Sequence, residues 1–466
     1  MSVAANSPAI VESKGPRSWL PGGDFWAFRR NPLTFLPHIA RTYGDLARLS
    51  FGRQRVYVIS RPEWIEDVLV TSAGRFAKGV ALERARRILG NGLLTSGGAD
   101  HLRQRRLIQP LFHRQHVQGF ANTMVKHASR WVGAIRPHAE LDMTAQMAAL
   151  TLAIVGETLF SSDVQGDAEE VRAALTDAVS GFALAFVPMV EQLEKLPLPI
   201  FRRIREARAR LDRVIRKVIA ERRELEGKPK GLPPQEFRSH HDLISMLLAA
   251  RDPENPHASG MTDEQIRDEA ITIFLAGHET TANAMAWTWH LLSSAPEAEA
   301  RLHAELTSVL DGRLPTAEDV PRLEWTRAIV SESMRLWPPA WTMGRRALQT
   351  HTIGGYPVGA GSLVIMSQWV VHRDPRWWDR SDTFAPERWL ALSSRPKYSY
   401  FPFGGGSRVC IGESFAWTEA ILLLATIAQR WQFRPLPGST PEPEPRITLR
   451  PKGLRMRAEP RAVTTR

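Results

Sequence analysis

Cysteine is almost absent from this chain of 466 residues. Cys410 is the single one, so no internal disulfide can form, and the lone thiol in a reducing, cytoplasmic setting needs its own explanation. Lysine is scarce as well, with nine residues against 52 arginines. The net charge of +12 and the pI near 10.3 therefore reflect an arginine excess spread along the chain, densest over 202–223 and 446–466. That distribution argues against nucleic acid as a partner and favours the docking of an acidic protein. No apolar run reaches the ~18 residues of a membrane span. Charges at Glu12, Lys14, Arg17, Asp24, Arg29 and Arg30 leave no signal-peptide core or membrane anchor near the start. Repeats and low-complexity linkers are missing too, and 43% hydrophobic with 24% charged residues excludes disordered and fibrous classes.

What is present reads as mainly α with small β-sheets. Asn31-Pro32 to Gly44 predicts a helix, Leu46–Phe51 and Arg55–Ser60 a hairpin around Gly52, and Pro62 the start of another helix. From about 115 to 340 the periodicity is helical, broken at Pro188, 197–199, 231–234 and 253–256. Thr262-Asp263-Glu264-Gln265 is a capping-box pattern that opens the longest helix, running to Ser294. After residue 340 come short strands, glycine turns, an apolar helix over 414–431 and a proline-rich, strand-like tail. We expect a flexible segment over 1–15 and a single domain over 16–466.

Cys410 sits in Phe403-Gly404-Gly405-Gly406-Ser407-Arg408-Val409-Cys410-Ile411-Gly412, just before that apolar helix. A helix N-terminus favours thiolate over thiol, and glycines let the loop press against a flat object. Arg408 suits a carboxylate on that object, so the string fits axial ligation of haem iron. An inert buried cysteine and a cysteine nucleophile are the competing readings, but no general-base histidine lies near in sequence.

The full string Phe-x-x-Gly-x-Arg-x-Cys-x-Gly resembles the signature of the cytochrome P450 family. Other motifs of that family follow in order: Ala276-Gly277-His278-Glu279-Thr280-Thr281 on the long helix, Glu332-Ser333-Met334-Arg335, and Phe384-Ala385-Pro386-Glu387-Arg388-Trp389. The resemblance implies a triangular, helix-rich fold with haem b (heme b, iron protoporphyrin IX) between the long helix and the helix after Cys410. It implies Cys410 as the iron ligand, with Ala276, Phe403 and Gly412 against the cofactor. It implies propionate contacts from Arg408, from His101 and Arg105 (i,i+4 on one helix face), and from Arg345 or its neighbour Arg346. Glu332, Arg335 and Arg388 form a buried structural network in the family. Thr280 hydrogen-bonds the activated oxygen and Glu279 feeds protons towards it. Read without the family, Thr280 is a hydroxyl back-bonded to its own helix and Glu332/Arg335 a solvated ion pair. His278 points elsewhere and is read as structural or partly exposed.

The expected activity is monooxygenation, a hydroxylation or epoxidation of a small apolar substrate by O2. A peroxide-using or peroxide-rearranging enzyme and a non-enzymatic haem carrier or sensor are the alternatives, and the intact Glu279-Thr280 pair favours the first. Ala276, Thr280, 339–344 and the apolar run 182–190 should line the pocket. Only 56 residues follow Cys410, too few for a redox module. Electrons are therefore expected from NAD(P)H through an external acidic ferredoxin or flavodoxin and its reductase, steered by Arg103, Arg106, Arg114 and Arg408. The protein is expected to be a cytoplasmic monomer.

Overall fold

The N-terminal elements follow their local signals. In the computed structural model, which describes residues 13–16, 22–160, 198–226, 242–252, 254–255, 260–391 and 394–461, helix α1 (Gly23–Arg30) leads into α2 (Pro32–Tyr43). Asn31 caps α2 by accepting a hydrogen bond from the Thr34 N–H, and Pro32 occupies the first turn, where a missing N–H costs nothing. Strands β1 (Leu46–Phe51) and β2 (Gln54–Ile59) pair antiparallel through a turn at Gly52, whose φ of 64° suits glycine. Next come α3 (Pro62–Glu66), a π turn over Asp67–Thr71, β3 (Phe76–Lys78), α4 (Val80–Leu89), α5 (Gly98–Ile108), α6 (Arg114–Ala134), β4 (Glu140–Asp142) and α7 (Met143–Phe160). The helical middle continues with α8 (Pro199–Glu226), α9 (Leu243–Ala249), α10 (Asp263–Ser293), α11 (Pro296–Leu310) and α12 (Glu324–Leu336). The last part holds β5 (Met343–Ala347), β6 (His351–Ile353), β7 (Tyr356–Val358), β8 (Leu363–Met366), α13 (Gln368–Val371), α14 (Glu413–Ala428), β9 (Trp431–Pro435), β10 (Glu442–Pro445), β11 (Leu449–Lys452) and β12 (Arg455–Pro460).

The long helix is α10, with 31 residues and a length of about 46 Å at 1.5 Å per residue. Its capping box is complete: the Gln265 N–H donates to Thr262 Oγ1 at 3.2 Å, and the Thr262 N–H donates to Gln265 Oε1 at 3.1 Å. The helix expected over 414–431 is shorter, because Trp431 opens β9 and pairs with Pro460 of β12. Helices α1 and α4 carried no clear sequence signal.

The chain divides into two compact units that interleave in sequence. The first comprises Met1–Val80, Arg335–Thr383 and Ser393–Cys410. It is built on a sheet of order β1-β2-β8-β5-β3, with β2 and β8 parallel, over a core that includes Tyr57, Ile65, Phe76 and Val364. Lys14, within the segment expected to be flexible, bridges to Ala47, and its carbonyl accepts the Arg48 N–H at 2.8 Å.

The second unit, Ala81–Met334, Phe384–Leu392 and Ile411–Arg466, is largely helical. In it α10 packs on α7, α8 and α14, and α14 packs on α6. The apolar stripe of α8 (Leu211, Val214, Ile215, Val218) meets Ile266, Ala270 and Phe274 of α10 in one core. The sheet β4-β12-β9 and the hairpin β10–β11, in which Pro443 faces Pro451, complete the unit. Among the described residues no helix is long and apolar enough to cross a membrane.

Candidate functional site

The Cys410 loop is shaped by its own backbone. The Cys410 N–H donates to Phe403 O at 2.9 Å and the Gly404 N–H to Phe401 O at 3.0 Å, and a 3-10 turn spans Gly406–Arg408. Gly406, at φ 68°, lies against the Leu69 carbonyl so closely that a Cβ would collide with it. Its fixed shape leaves the Cys410 side chain exposed. Two residues further on, Gly412 is the N-cap of α14.

Arg408 and Arg345 lie in the same unit. Strand alternation in β5 buries Arg345, which pairs in register with Lys78 and Val364, and leaves Arg346 half-buried. Arg345 is thus the inward residue of the two left open by the sequence. Its Nη1 donates to Gly344 O at 3.0 Å, and the Nη1 of Arg408 donates to Phe76 O at 3.0 Å. Burial, together with the Arg408 charge, pulls Arg345 down to about 10, and burial lowers Arg408 as well.

Glu332 has the opposite character. It is fully buried and fully engaged: Oε1 accepts from the Ala385 N–H at 3.0 Å and from Arg388 Nε at 3.1 Å, and Oε2 accepts from Trp389 Nε1 at 2.9 Å. Further along α12, the buried Arg335 donates to the carbonyls of His372, Ser381 and Thr383 at 2.8, 2.6 and 3.0 Å. It also lies 5.0 Å from the Trp378 ring centroid. These are structural ties, and the solvated ion pair is excluded.

On α10, Ala276 is exposed between buried turns, and Glu279 and Thr280 are half-buried. The Thr280 hydroxyl donates to Ala276 O at 2.6 Å, the back-bonded geometry. Its one hydrogen is thereby spent, and the oxygen is left to accept. Glu279 Oε1 accepts from the Thr448 hydroxyl at 2.9 Å. Burial pushes the Glu279 carboxyl above its ordinary value, while the Thr448 hydroxyl, Arg450 and Arg446 pull the other way. His278 is half-buried with its imidazole lowered by burial, and its carbonyl accepts from Thr151 Oγ1 at 2.9 Å.

The family model described as Cytochrome P450 matches residues 14–458. The chain belongs to the cytochrome P450 family. It is 41% identical to cyclooctatin synthase of Streptomyces melanosporofaciens over 93% of this chain and 92% of that protein. It is 37% identical to cyclooctat-9-en-7-ol 5-monooxygenase of the same organism, over 93% and 94%. Pentalenene oxygenase of Streptomyces avermitilis is 33% identical, again over 93% and 94%. This cytochrome P450 is a haem-thiolate monooxygenase.

The residues present fit the group that the family carries. Arg345 is buried with the half-buried Arg408 beside it, and no carboxylate among the described residues pairs with either. Such an arrangement is costly until an anion arrives, and the carboxylates of haem are anions of the right kind. His101 is buried on α5, and Arg105, partly exposed, donates from Nε to Gln109 Oε1 at 3.3 Å.

The expected docking arginines are corrected in part. Arg106 is committed to Asp252 at 3.0 Å and Glu254 at 3.2 Å, and Arg103 donates to Gly260 O at 3.0 Å, while Arg114 is exposed. The apolar run 182–190 lies outside the described residues. Thr448, Arg446 and Arg450 were missed, because nothing in the local sequence of the tail ties them to Glu279.

Proposed function

We propose that this monooxygenase oxygenates an apolar cyclic terpene, using electrons that an acidic ferredoxin or flavodoxin and its reductase deliver from NAD(P)H. Full-length similarity to cyclooctatin synthase, cyclooctat-9-en-7-ol 5-monooxygenase and pentalenene oxygenase carries the substrate class. Reliance on NAD(P)H and a cysteine count of one fit the cytoplasm.

Cys410 is the iron ligand in this reading, presented by the rigid loop that ends at its own N–H. Haem supplies, when bound, the iron chemistry that activates O2. Arg345 and Arg408 hold its carboxylates, relieving the mutual repulsion of the two guanidinium groups. His101, Arg105, Ala276, Phe403 and Gly412 carry over as cofactor contacts from the family motifs that they match. Thr280, with its hydrogen on Ala276 O, accepts a hydrogen bond from an incoming donor and so holds a proton source in place. Glu279, raised by burial, stays protonated to a higher pH than an exposed glutamate and passes that proton on.

A difference-spectrum screen of the purified, haem-loaded protein tests the substrate class. Cyclic terpene hydrocarbons and alcohols should displace the iron-bound water at micromolar concentration. A response confined to fatty acids, steroids or aromatic metabolites would reject it. Cys410→Ser should abolish the red-shifted thiolate-type carbon monoxide band together with oxygenase activity; retention of that band would reject the ligand.

A further inference from the structure

The turn between β10 and β11 is tied to one stripe of the long helix. Glu279, Asn283 and Trp287 are spaced i, i+4, i+8 and therefore share a face of α10. Asn283 Nδ2 donates to Thr448 Oγ1 at 2.9 Å, the Thr448 hydroxyl donates to Glu279 Oε1 at 2.9 Å, and Trp287 Nε1 donates to Leu449 O at 3.0 Å. The turn closes on itself, with the Arg446 N–H donating to Thr448 O at 3.0 Å.

The directions of these bonds matter. An amide N–H can only donate, so the Thr448 oxygen accepts from Asn283 and its single hydrogen is left for Glu279. Thr448 and Asn283 are both buried, so solvent does not compete for the hydroxyl. Glu279 Oε1 is thereby occupied by a donor, and Oε2 is the oxygen that can carry a proton. The charged groups acting on Glu279 are Arg450 and Arg446 from the same hairpin. Helix α7 presents the neutral Thr151 to the carbonyl of His278, the imidazole next along α10, and α14 presents Glu419 beside Thr281.

We propose that Thr448, oriented by Asn283, is a positioning residue for Glu279: its hydroxyl fixes the direction of the carboxyl and leaves Oε2 as the oxygen that takes up and releases the proton. This rests on the proton-delivery role assigned to Glu279 above. Removing the hydroxyl frees the carboxyl to rotate and takes away a bond that favours the charged form, so the proton is held more tightly. The effect falls on the proton step.

The test uses the haem-loaded enzyme and the variants Thr448→Val, Thr448→Ser, Asn283→Ala and Glu279→Gln. Infrared difference spectra across a pH titration identify the Glu279 carboxyl as the band missing in Glu279→Gln. Thr448→Val should move the midpoint of that band upward and lower product per electron about fivefold, the loss of one hydrogen bond. Thr448→Ser should restore both, and Asn283→Ala should move the midpoint the same way by less. A Thr448→Val midpoint equal to wild type overturns the proposal, as does an equal defect in Thr448→Ser. If Glu279→Gln keeps wild-type product per electron, the proton-delivery role falls, and the infrared midpoint still decides whether Thr448 holds the carboxyl.

Discussion

The buried carboxylate of Glu332 and the guanidinium pair of the buried Arg345 and half-buried Arg408 are charges of opposite fate. Every direction around Glu332 is filled by a donor from its own unit: the Ala385 N–H, Arg388 and Trp389. Arg345 and Arg408 find only main-chain carbonyls, at Gly344 and Phe76, and repel one another. A buried charge satisfied from within the chain serves the fold, because its neighbours already neutralise it. A buried charge left without a counterion serves something from outside.

Substitutions can break this contrast. Glu332→Ala should be the most damaging, since it removes the carboxylate that accepts from Arg388, the Ala385 N–H and Trp389 Nε1. A loss of about 3–5 kcal/mol is expected, read as the shift in a denaturant midpoint. Arg345→Leu or Arg408→Leu should do the reverse in the two states of the protein. The haem-free chain should be no less stable than wild type, while haem transfer to an acceptor protein should speed up on the order of tenfold. If both substitutions destabilise the haem-free chain as Glu332→Ala does, the distinction between the two regions is lost.

Thr280→Ala sharpens the functional side. Oxygen consumption should persist while product per electron drops by on the order of tenfold, with peroxide accounting for the difference. Unchanged coupling would leave the Thr280 hydroxyl with its helix bond to Ala276 as its whole role.

Glu419 supplies an effect that shows only at alkaline pH. It is buried on α14, where burial pushes it up to about 8 despite the Thr281 hydroxyl beside it. A carboxyl raised in the folded state contributes stability that is complete below its unfolded value near 4.5 and is lost as pH rises through about 8. Glu419→Gln should therefore match wild type in melting temperature near pH 5 and exceed it near pH 8.5. Parallel melting curves at both pH values would show that Glu419 does not titrate in this way.

What could be read in the sequence was local. The Thr262 capping box, the Asn31 cap, the Gly52 turn and the fixed spacing around Cys410 all lie within a few residues of the structure they specify. The family motifs added Glu332 and Arg388, 56 residues apart, which no local rule joins. The choice of Arg345 over Arg346 needed the register of β5 against β3 and β8, since strand alternation can be read only when one buried position is known. Arg106 looked like a free docking cation because its partner, Asp252, is 146 residues away. Thr448 is 169 residues from Glu279, and a threonine in a proline-rich tail carries no sign that it meets a carboxyl on the longest helix.

The hairpin that holds Thr448 has one more property. In β10–β11 the register sets Pro443 opposite Pro451, so the pairs able to exchange amide hydrogens are 442 with 452 and 444 with 450. On β10 the amide positions facing away from β11 thus fall to Pro443 and Pro445, which have no hydrogen to offer. On β11 the outward carbonyls of Leu449 and Pro451 are already taken by Trp287 Nε1 and the Thr144 hydroxyl, at 3.0 and 2.8 Å. A two-stranded ribbon ordinarily invites a third strand from a neighbouring molecule. On its β10 edge this one offers acceptors and no donors, which makes it a poor template for strand addition.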